Sequence, residues 1–220
     1  MQSDLAIVIL NYNTCHLLNT YLPSVVKHSN GYRIIFVDNA SKDESVNFVR
    51  ENYPQIEVIC LEENYGFTGG YNRALKQIKA KYYCLLNTDV EVTENWIEPI
   101  INLMEGDEKI AVCQPKLLSY TEKNKFEYAG AAGGFIDYLG YPFCAGRIFD
   151  TIEEDKGQYN EIQEIFWASG AAFFIRSELY HQFGGLDENY FAHFEEIDLC
   201  WRLKNEGYKI YCNPNSIVYH

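Results

Sequence analysis

The sequence is short of basic residues: 18 Lys and Arg stand against 31 Asp and Glu among 220 residues, for a formal net charge of −13. It offers no basic stripe that could displace the counterions of a nucleic acid, so we expect no nucleic-acid partner. The acidity also argues against electrostatic docking on anionic lipid. A phosphate-bearing ligand is compatible with this charge if a divalent cation accompanies it.

Long apolar runs and paired cysteines are lacking as well. No run approaches the ~20 residues of a membrane span, and a strand is predicted from Leu5 onward, so we expect neither a span nor a signal peptide. The seven cysteines are scattered, form no C-x-x-C pair and lie mostly in apolar runs. This pattern favours buried, reduced thiols in a cytosolic protein over zinc ligands or disulfides.

Familiar phosphate-binding motifs are also absent. The chain has neither G-x-G-x-x-G after its first predicted strand nor G-x-x-x-x-G-K-[ST], which disfavours a nicotinamide dehydrogenase and a P-loop enzyme. A nucleotidyltransferase usually has a Gly-, Arg- and Lys-rich loop after that strand, where this chain has Asn11-Tyr12-Asn13.

The first half alternates apolar runs with helical patterns. Ser41 to Glu44 have the form of a capping box, and Thr93 is a candidate N-cap, so each predicts a nearby helix start. Repeated βα units predict an α/β fold with a mostly parallel central sheet and helices on both faces. Predicted strands cover residues 5–10, 33–37, 56–61, 82–86 and 110–114, and predicted helices cover 17–27, 41–51, 69–78 and 95–104.

The second half is less regular. Residues 119–164 are rich in Gly, Tyr and charge, which predicts loops and short strands of the kind that are usually functional or mobile. An apolar stretch at 165–175, helices at 177–183 and 195–205 and a strand at 209–212 complete the chain.

Polar residues end several predicted strands: Asn11 and Asn13 follow the first, Asp38 the second and Asp89 the fourth. In a parallel sheet these ends share one edge, where α/β folds bind ligands. Asp38 can accept hydrogen bonds from a ribose or a base, and Asp89 can hold Mg²⁺ or Mn²⁺ against a diphosphate. Ordinary turn chemistry is the alternative for each residue taken alone.

Two further segments carry candidate chemistry. The run from Asn64 through Gly70, Asn72 and Arg73 has glycines before a helix, which permits close approach to phosphate. Glu195 and Glu196 open a helix among aromatic residues, where the dipole favours their anionic form and one could act as general base. Ordinary acidity at a helix start is the alternative. His220, taken alone, is more typical of a strand edge than of a metal ligand.

Together these segments resemble the family 2 glycosyltransferases of the GT-A fold, especially the bacterial rhamnosyltransferase-like and galactofuranosyltransferase-like members. The resemblance covers nearly the whole chain. It rests on six ordered motifs at residues 8–13, 37–41, 64–72, 86–89, 170–171 and 184–202.

The resemblance implies inverting transfer from a nucleotide-diphospho-sugar, such as a UDP- or dTDP-sugar, with Mg²⁺ or Mn²⁺ as cofactor. The acceptor would be a saccharide or lipid-linked saccharide in cell-surface polysaccharide synthesis. Asp89 would bind the metal, with His220 as a further ligand, and Glu196 would be the catalytic base. The donor would contact these positions: Asn11, Asn13, Asp38, Asn64, Gly70, Asn72 and Asp89.

Some positions depart from the family pattern. Asn87 replaces the first acid of D-x-D, Arg73 stands where glycine is common, and Glu196 replaces the usual Asp, which makes Glu195 a rival base. Relatives usually continue beyond His220, so we expect a truncated enzyme. A sugar-nucleotide binding module without turnover and a nucleotidyltransferase are the alternatives.

We expect residues 1–220 to form a single GT-A domain. Residues 1–115 would be its nucleotide-binding half and residues 116–220 its acceptor and catalytic half. The expected location is the cytoplasm, with peripheral contact to the inner face of the cytoplasmic membrane.

Overall fold

The computed structural model describes residues 4–190 and 193–220, and a nine-stranded sheet lies at its centre. Its helices are α1 (Cys15–His28), α2 (Ser45–Asn52), α3 (Gly66–Leu75), α4 (Glu98–Gly106), α5 (Ser177–Gln182) and α6 (Glu195–Asn205). Its strands are β1 (Leu5–Asn11), β2 (Arg33–Asp38), β3 (Glu57–Cys60), β4 (Tyr82–Leu86), β5 (Glu91–Val92), β6 (Ile110–Leu118), β7 (Gly134–Ile136), β8 (Pro142–Cys144), β9 (Arg147–Ile148), β10 (Thr151–Ile152), β11 (Gln163–Ile165), β12 (Ala172–Arg176) and β13 (Lys209–Tyr219).

The strand order of the sheet is β11-β13-β6-β12-β4-β1-β2-β3, and β5 pairs with β13. Strands β1 to β4, β6 and β13 run in one direction, whereas β5, β11 and β12 run in the other. Two small hairpins, β7–β8 and β9–β10, lie outside it. The predicted mostly parallel α/β sheet is therefore confirmed.

Both faces of the sheet are buried. Along β1, Ala6 and Val8 point into one core, whereas Ile7 and Ile9 point into the other. This alternation is the period-2 geometry of a strand. Helices α3, α5 and α6 cover the first face, and α1, α2 and α4 cover the second. The continuous apolar runs of the central strands are thus explained, because both sides of each strand are covered.

Two predicted helix starts are wrong. Helix α2 begins at Ser45, after the proposed capping box at Ser41. The side chain of Asp43 instead accepts hydrogen bonds from the backbone N–H of Cys15 (2.9 Å) and of Ser45 (3.1 Å), so it serves the first turns of α1 and α2 together. Thr93 donates to the carbonyl of Ile217 (2.7 Å) in β13, and α4 begins later, at Glu98.

Several elements extend beyond their predicted ends. Strands β6 and β13 reach Leu118 and Tyr219, because their parallel pairing resumes after an irregularity between Asn213 and Ile217. That extension carries the chain to His220 at the edge where β4 ends. Among the residues described, no helix combines the length and the apolar character needed to cross a membrane.

Candidate functional site

The ends of β1 and β2 are joined by a polar network. Asn11 and Asp38 are partners in the register of these strands, and both are buried. The Asn11 amide donates to Asp38 Oδ1 (3.0 Å) and to Ser41 Oγ (2.9 Å), while the Ser41 backbone N–H donates to Asp38 Oδ2 (3.0 Å). Each Asp38 oxygen keeps a free lone pair, so the carboxylate can still accept hydrogen bonds from a ligand.

Asn13 lies on the exposed side of the same network. It has a left-handed backbone (φ 56°), which Asn tolerates better than most residues. Its side-chain oxygen accepts from the Lys42 backbone N–H (2.7 Å), and its own N–H donates to Ser41 Oγ (3.0 Å). The structure therefore brings Asn11, Asn13 and Asp38 together, as the strand pattern predicts.

Asn39 was not singled out from the sequence, although it lies in the 37–41 motif. Its side-chain nitrogen donates to Asn64 Oδ1 (2.9 Å) and to the Gly66 carbonyl (2.9 Å), and its oxygen accepts from the Tyr65 N–H (3.0 Å). A Cβ on Gly70 would lie 3.1 Å from this nitrogen. Asn39 therefore fastens the loop before α3, including Asn64, against the end of β2.

Asn72 is engaged elsewhere in the fold. Its amide nitrogen donates to the Leu186 carbonyl (2.7 Å), and its oxygen accepts from the Tyr180 hydroxyl (2.7 Å) and the Leu186 N–H (3.1 Å). The nearby Arg73 pairs with Glu188 at 3.0 Å. Both side chains therefore hold the segment that follows Gly185, and the nucleotide contact expected for Asn72 stays a prediction.

Asp89 and His220 face each other at the edge of the sheet. Strand β4 ends just before Asp89, and β13 delivers His220, whose backbone N–H donates to the Leu118 carbonyl (2.9 Å). His220 Nε2 lies 3.2 Å from Asp89 Oδ1, and the Asn87 amide nitrogen lies 3.5 Å from the same ring nitrogen. Two residues far apart in sequence thus present an oxygen and a nitrogen to one point.

A third acid, Glu127, lies on the other side of the imidazole ring. Its Oε1 is 3.6 Å from His220 Nδ1. Burial acts to lower the pKa of His220, but the carboxylates of Asp89 and Glu127 outweigh burial and raise this pKa to about 9. The hydrogen bond from His220 in turn lowers the pKa of Asp89. Glu127 lies in the irregular 119–164 segment, where no periodic pattern marked it.

The residues present fit a divalent cation. Within residues 4–190 and 193–220, no three His, Cys, Asp or Glu side chains are grouped to hold a metal ion. The Asp89 oxygen and the His220 nitrogen supply two ligands of types that Mn²⁺ accepts. A site with few protein ligands is suited to a cation that is also bound by phosphate oxygens and water.

The acidic pair opens α6 after an unusual backbone. His193 (φ 66°) and Phe194 (φ 88°) are consecutive non-glycine residues in the left-handed region, which is costly and is found mainly at functional sites. Glu195 is buried. One carboxylate oxygen of Glu195 and one of Glu196 are buried and have no hydrogen-bond partner among residues 4–190 and 193–220. Such unpaired acids are expensive to bury, which is consistent with a role beyond stability.

Burial changes the acidity of Glu196. Burial, followed by the charge of Glu195, raises the pKa of Glu196 to about 7, although backbone N–H groups of Glu196 and Gly170 act in the opposite direction. The helix dipole, which we expect to favour the anionic form, is therefore outweighed by desolvation and by the charge of Glu195. A carboxyl group with a pKa near 7 can exchange a proton at neutral pH.

Residues 170–171 connect the acidic pair to the metal-binding edge. The Ala171 carbonyl accepts from the Asn87 N–H (3.0 Å), and the Gly170 N–H interacts with the Glu196 carboxylate. Gly170 also faces Phe67, whose ring carbon would lie 3.7 Å from a Cβ at that position. The residues just before β12 therefore touch the first turn of α3, the turn that carries Asp89 and the start of α6.

A separate cavity lies away from these residues. It measures about 630 Å³ and is lined by residues that include Lys81 at the start of β4 and Arg176 at the end of the antiparallel β12. Both positions mark the opposite edge of the sheet. Arg176 already donates to the backbone carbonyls of Ile110 and Asp107. This cavity lies at the amino ends of the parallel strands, away from Asp38 and Asp89, so we do not assign the site there.

Comparison with known proteins identifies the family of the chain. Residues 6–183 match Glycosyl transferase family 2. The low-salt glycan biosynthesis hexosyltransferase Agl10 of Haloferax volcanii is 22% identical over 217 residues, which are 96% of this chain and 64% of that protein. The N-acetylglucosaminyl-diphospho-decaprenol L-rhamnosyltransferase of Mycobacterium tuberculosis is 22% identical over 237 residues, which are 100% of this chain and 76% of that protein.

Solved structures show the same fold. GalNAc-T7 with UDP, GalNAc and Mn²⁺ superposes with a TM-score of 0.76 at 17% identity, over 99% of this chain and 44% of that chain. S. aureus TarS in complex with UDP superposes with a TM-score of 0.68 at 15% identity, over 99% of this chain and 60% of that chain. This chain thus spans less than two thirds of the hexosyltransferase and of both solved chains. The predicted GT-A fold is confirmed, and the chain belongs to glycosyl transferase family 2.

Proposed function

We propose that this chain carries out inverting, metal-dependent sugar transfer from a nucleotide-diphospho-sugar to a saccharide or lipid-linked saccharide acceptor. The product would contribute to a cell-surface polysaccharide. One observation carries the proposal: the Asp89–His220 pair and the start of α6, where Glu195 and Glu196 each bury one unpaired carboxylate oxygen, are joined through residues 170–171. The names of the hexosyltransferase and rhamnosyltransferase relatives support it.

The donor nucleotide lies at the ends of β1 and β2 in this proposal. Asp38 accepts from the nucleoside, and Asn11 and Asn13 hold the Asp38 turn in place. Asn64, in the loop before α3, and Gly70, within that helix, lie close to the nucleotide in the proposal. UDP and dTDP are the preferred nucleotides. The presence of UDP in two structures of similar fold supports this choice.

Asp89 and His220 hold Mg²⁺ or Mn²⁺ in the proposed site. Both ligands lie at the carboxyl edge of the sheet, on the same side as the nucleotide residues. When bound, the cation neutralises the charge that develops on the diphosphate leaving group. A similar structure solved with UDP, GalNAc and Mn²⁺ supports a divalent cofactor.

Glu196 is the proposed general base, and Glu195 raises the pKa of Glu196. The Glu196 carboxylate takes the proton of an acceptor hydroxyl as that oxygen attacks the anomeric carbon. The bond from this carbon to the diphosphate breaks in the same step, so the configuration inverts. The negative charge of Glu195 raises the proton affinity of Glu196, and a pKa near 7 suits a base at neutral pH.

The acceptor side is assigned to residues 116–220. The β7–β8 hairpin exposes Tyr138, Leu139 and Tyr141, and its Phe135 and Phe143 rings stack at 5.6 Å. Aromatic faces of this kind pack against sugars and lipid chains. In the proposal this hairpin receives the acceptor, and cytoplasmic location with peripheral contact at the inner face of the membrane fits its exposed apolar surface.

Product analysis tests the proposed function. The chain is incubated with UDP- and dTDP-sugars, saccharide acceptors and Mn²⁺, with Asp89→Ala as the control. Release of nucleoside diphosphate by the unmodified chain, lost in Asp89→Ala, supports sugar transfer, whereas pyrophosphate would indicate a nucleotidyltransferase. Binding without product would support a sugar-nucleotide binding module.

A further inference from the structure

We propose that Glu127 is a positioning residue for the metal site: its carboxylate fixes the imidazole of His220 so that Nε2 faces the cation beside Asp89. The inference rests on the proposed function, because it takes Asp89 and His220 as the metal ligands. Glu127 itself touches neither the metal nor the sugar. It acts through His220.

The geometry of the imidazole assigns a task to each nitrogen. Nε2 lies 3.2 Å from Asp89 Oδ1, so this nitrogen can share a cation with Asp89. A neutral imidazole that gives a nitrogen lone pair to a metal carries its proton on the other nitrogen. That nitrogen is Nδ1, which is buried and has no hydrogen-bond partner within the described part of the chain. A buried N–H without an acceptor is costly, so the metal-binding form of His220 needs an acceptor at Nδ1.

Glu127 is placed to be that acceptor. Its Oε1 lies 3.6 Å from Nδ1, and a hydrogen bond of about 2.9 Å requires a movement of roughly 0.7 Å. Its other oxygen, Oε2, is held by the backbone N–H of Ala129 at 2.5 Å. The carboxylate is therefore anchored by one oxygen and directs the other toward the ring.

The backbone fixes both residues to the same strand end. The Glu127 N–H donates to the Leu117 carbonyl (3.1 Å), and the His220 N–H donates to the Leu118 carbonyl (2.9 Å). Successive residues of β6 therefore set the separation of Glu127 and His220. Glu127 is also buried, with 9% of its surface exposed, so solvent weakens its interaction with the ring very little.

A direct metal contact by Glu127 does not fit this arrangement. Its carboxylate approaches Nδ1, whereas Asp89 approaches Nε2 on the other side of the ring. Oε1 would therefore orient the ring, whereas Nε2 and Asp89 would hold the cation. Carboxylates that orient a metal-bound histidine through its second nitrogen typically contribute 10–100-fold to metal affinity.

Calorimetric titration of Mn²⁺ in the presence of UDP tests the inference on the full chain. Glu127→Ala should weaken Mn²⁺ binding by about 10–100-fold. Glu127→Gln should retain part of the affinity, because its amide oxygen can still accept from Nδ1. Glu122→Ala is the matched control, since Glu122 is an exposed carboxylate of the same segment that pairs with Lys125. It should bind Mn²⁺ as the unmodified chain does.

A double substitution separates positioning from a general loss of charge. If Glu127 acts through His220, Glu127→Ala should weaken Mn²⁺ binding no further once His220→Ala is present. An equal additional loss in that background would overturn the inference. Unchanged Mn²⁺ affinity in Glu127→Ala, with affinity still dependent on Asp89 and His220, would overturn it as well. If the unmodified chain binds no Mn²⁺, or binds it independently of Asp89 and His220, the proposed metal site fails instead.

The protonation of His220 provides a readout that needs no substitution. Nitrogen NMR of the unmodified chain with Mg²⁺ and UDP should show the proton of His220 on Nδ1. A proton on Nε2 in the metal-bound state would refute the inference even if Glu127→Ala failed to fold. Glu127→Ala, where folded, should show a mixture of the two ring forms.

Discussion

The pH dependence of turnover should report the ionisation of Glu196. Burial and the charge of Glu195 raise its pKa to about 7, and a base works only when deprotonated. Roughly one tenth of Glu196 is then ionised at pH 6 and roughly nine tenths at pH 8. We expect kcat/KM to rise about tenfold from pH 6 to its plateau. The assay measures the release of nucleoside diphosphate.

Substitution of either glutamate should change this profile in a different way. Glu196→Gln removes the base, so kcat should fall by about 10²–10⁴-fold while donor affinity is retained. Glu195→Gln removes a neighbouring negative charge, so the acid limb should move to lower pH. Burial persists in that variant, so the limb should stay above the ordinary value of 4.5.

Stability should respond with the opposite sign. Because the pKa of Glu196 is higher in the folded state than its ordinary value of 4.5, protonation favours the native protein. This contribution is complete below pH 4.5 and is lost as the pH rises through about 7. The glutamine of Glu196→Gln cannot ionise, so at pH 8 this variant should have a free energy of unfolding up to about 3 kcal/mol higher than the unmodified chain. Its melting temperature should be higher as well.

Three results would refute this reasoning. One is an acid limb of kcat/KM at pH 4 to 5, which would show that burial does not raise the pKa of the base. Another is a limb that moves to higher pH in Glu195→Gln. The last is loss of turnover in Glu195→Gln with normal turnover in Glu196→Gln, which would reverse the two roles.

Further predictions concern the donor site and the acceptor side. Asp89→Ala should abolish Mn²⁺-dependent nucleotide binding and leave the circular dichroism spectrum unchanged, and calorimetry that finds the same Mn²⁺-dependent affinity would contradict the assignment. Asp38→Ala should weaken the binding of uridine and of UDP by similar factors, because this carboxylate contacts the nucleoside. A loss of affinity for UDP alone would place Asp38 at the phosphates instead. Amide hydrogens of residues 119–164 should exchange quickly without ligand and slow down with acceptor, and uniformly slow exchange in the free chain would exclude mobility.

Much of the fold could be predicted from local patterns. Apolar runs located the central strands, and the polar residues after them located one edge of the sheet. Asn11, Asn13 and Asp38 could therefore be placed together, since the ends of parallel strands coincide. Whether these residues and Glu196 act as proposed is what the binding and rate measurements decide.

Long-range contacts explain what could not be predicted. Asn72 has the sequence context of a nucleotide-binding loop, but its partners lie in the segment after Gly185. Thr93 has the sequence context of an N-cap, but its hydroxyl donates a hydrogen bond to the carbonyl of Ile217 in β13. Glu127 lies in a segment without periodicity, so only the three-dimensional structure brings it to His220. The acidity of Glu196 depends on burial, which a linear pattern of charges does not contain.

The left-handed backbone of His193 and Phe194 has a consequence for laboratory evolution. Each such residue costs on the order of 1–3 kcal/mol, and glycine adopts this conformation without that strain. Selection for heat resistance should therefore favour glycine at these two positions. The same change would widen the angular freedom of the first turn of α6 and loosen Glu195 and Glu196. Thermostable variants obtained by this route should be slower enzymes, so a screen for melting temperature alone would select against turnover.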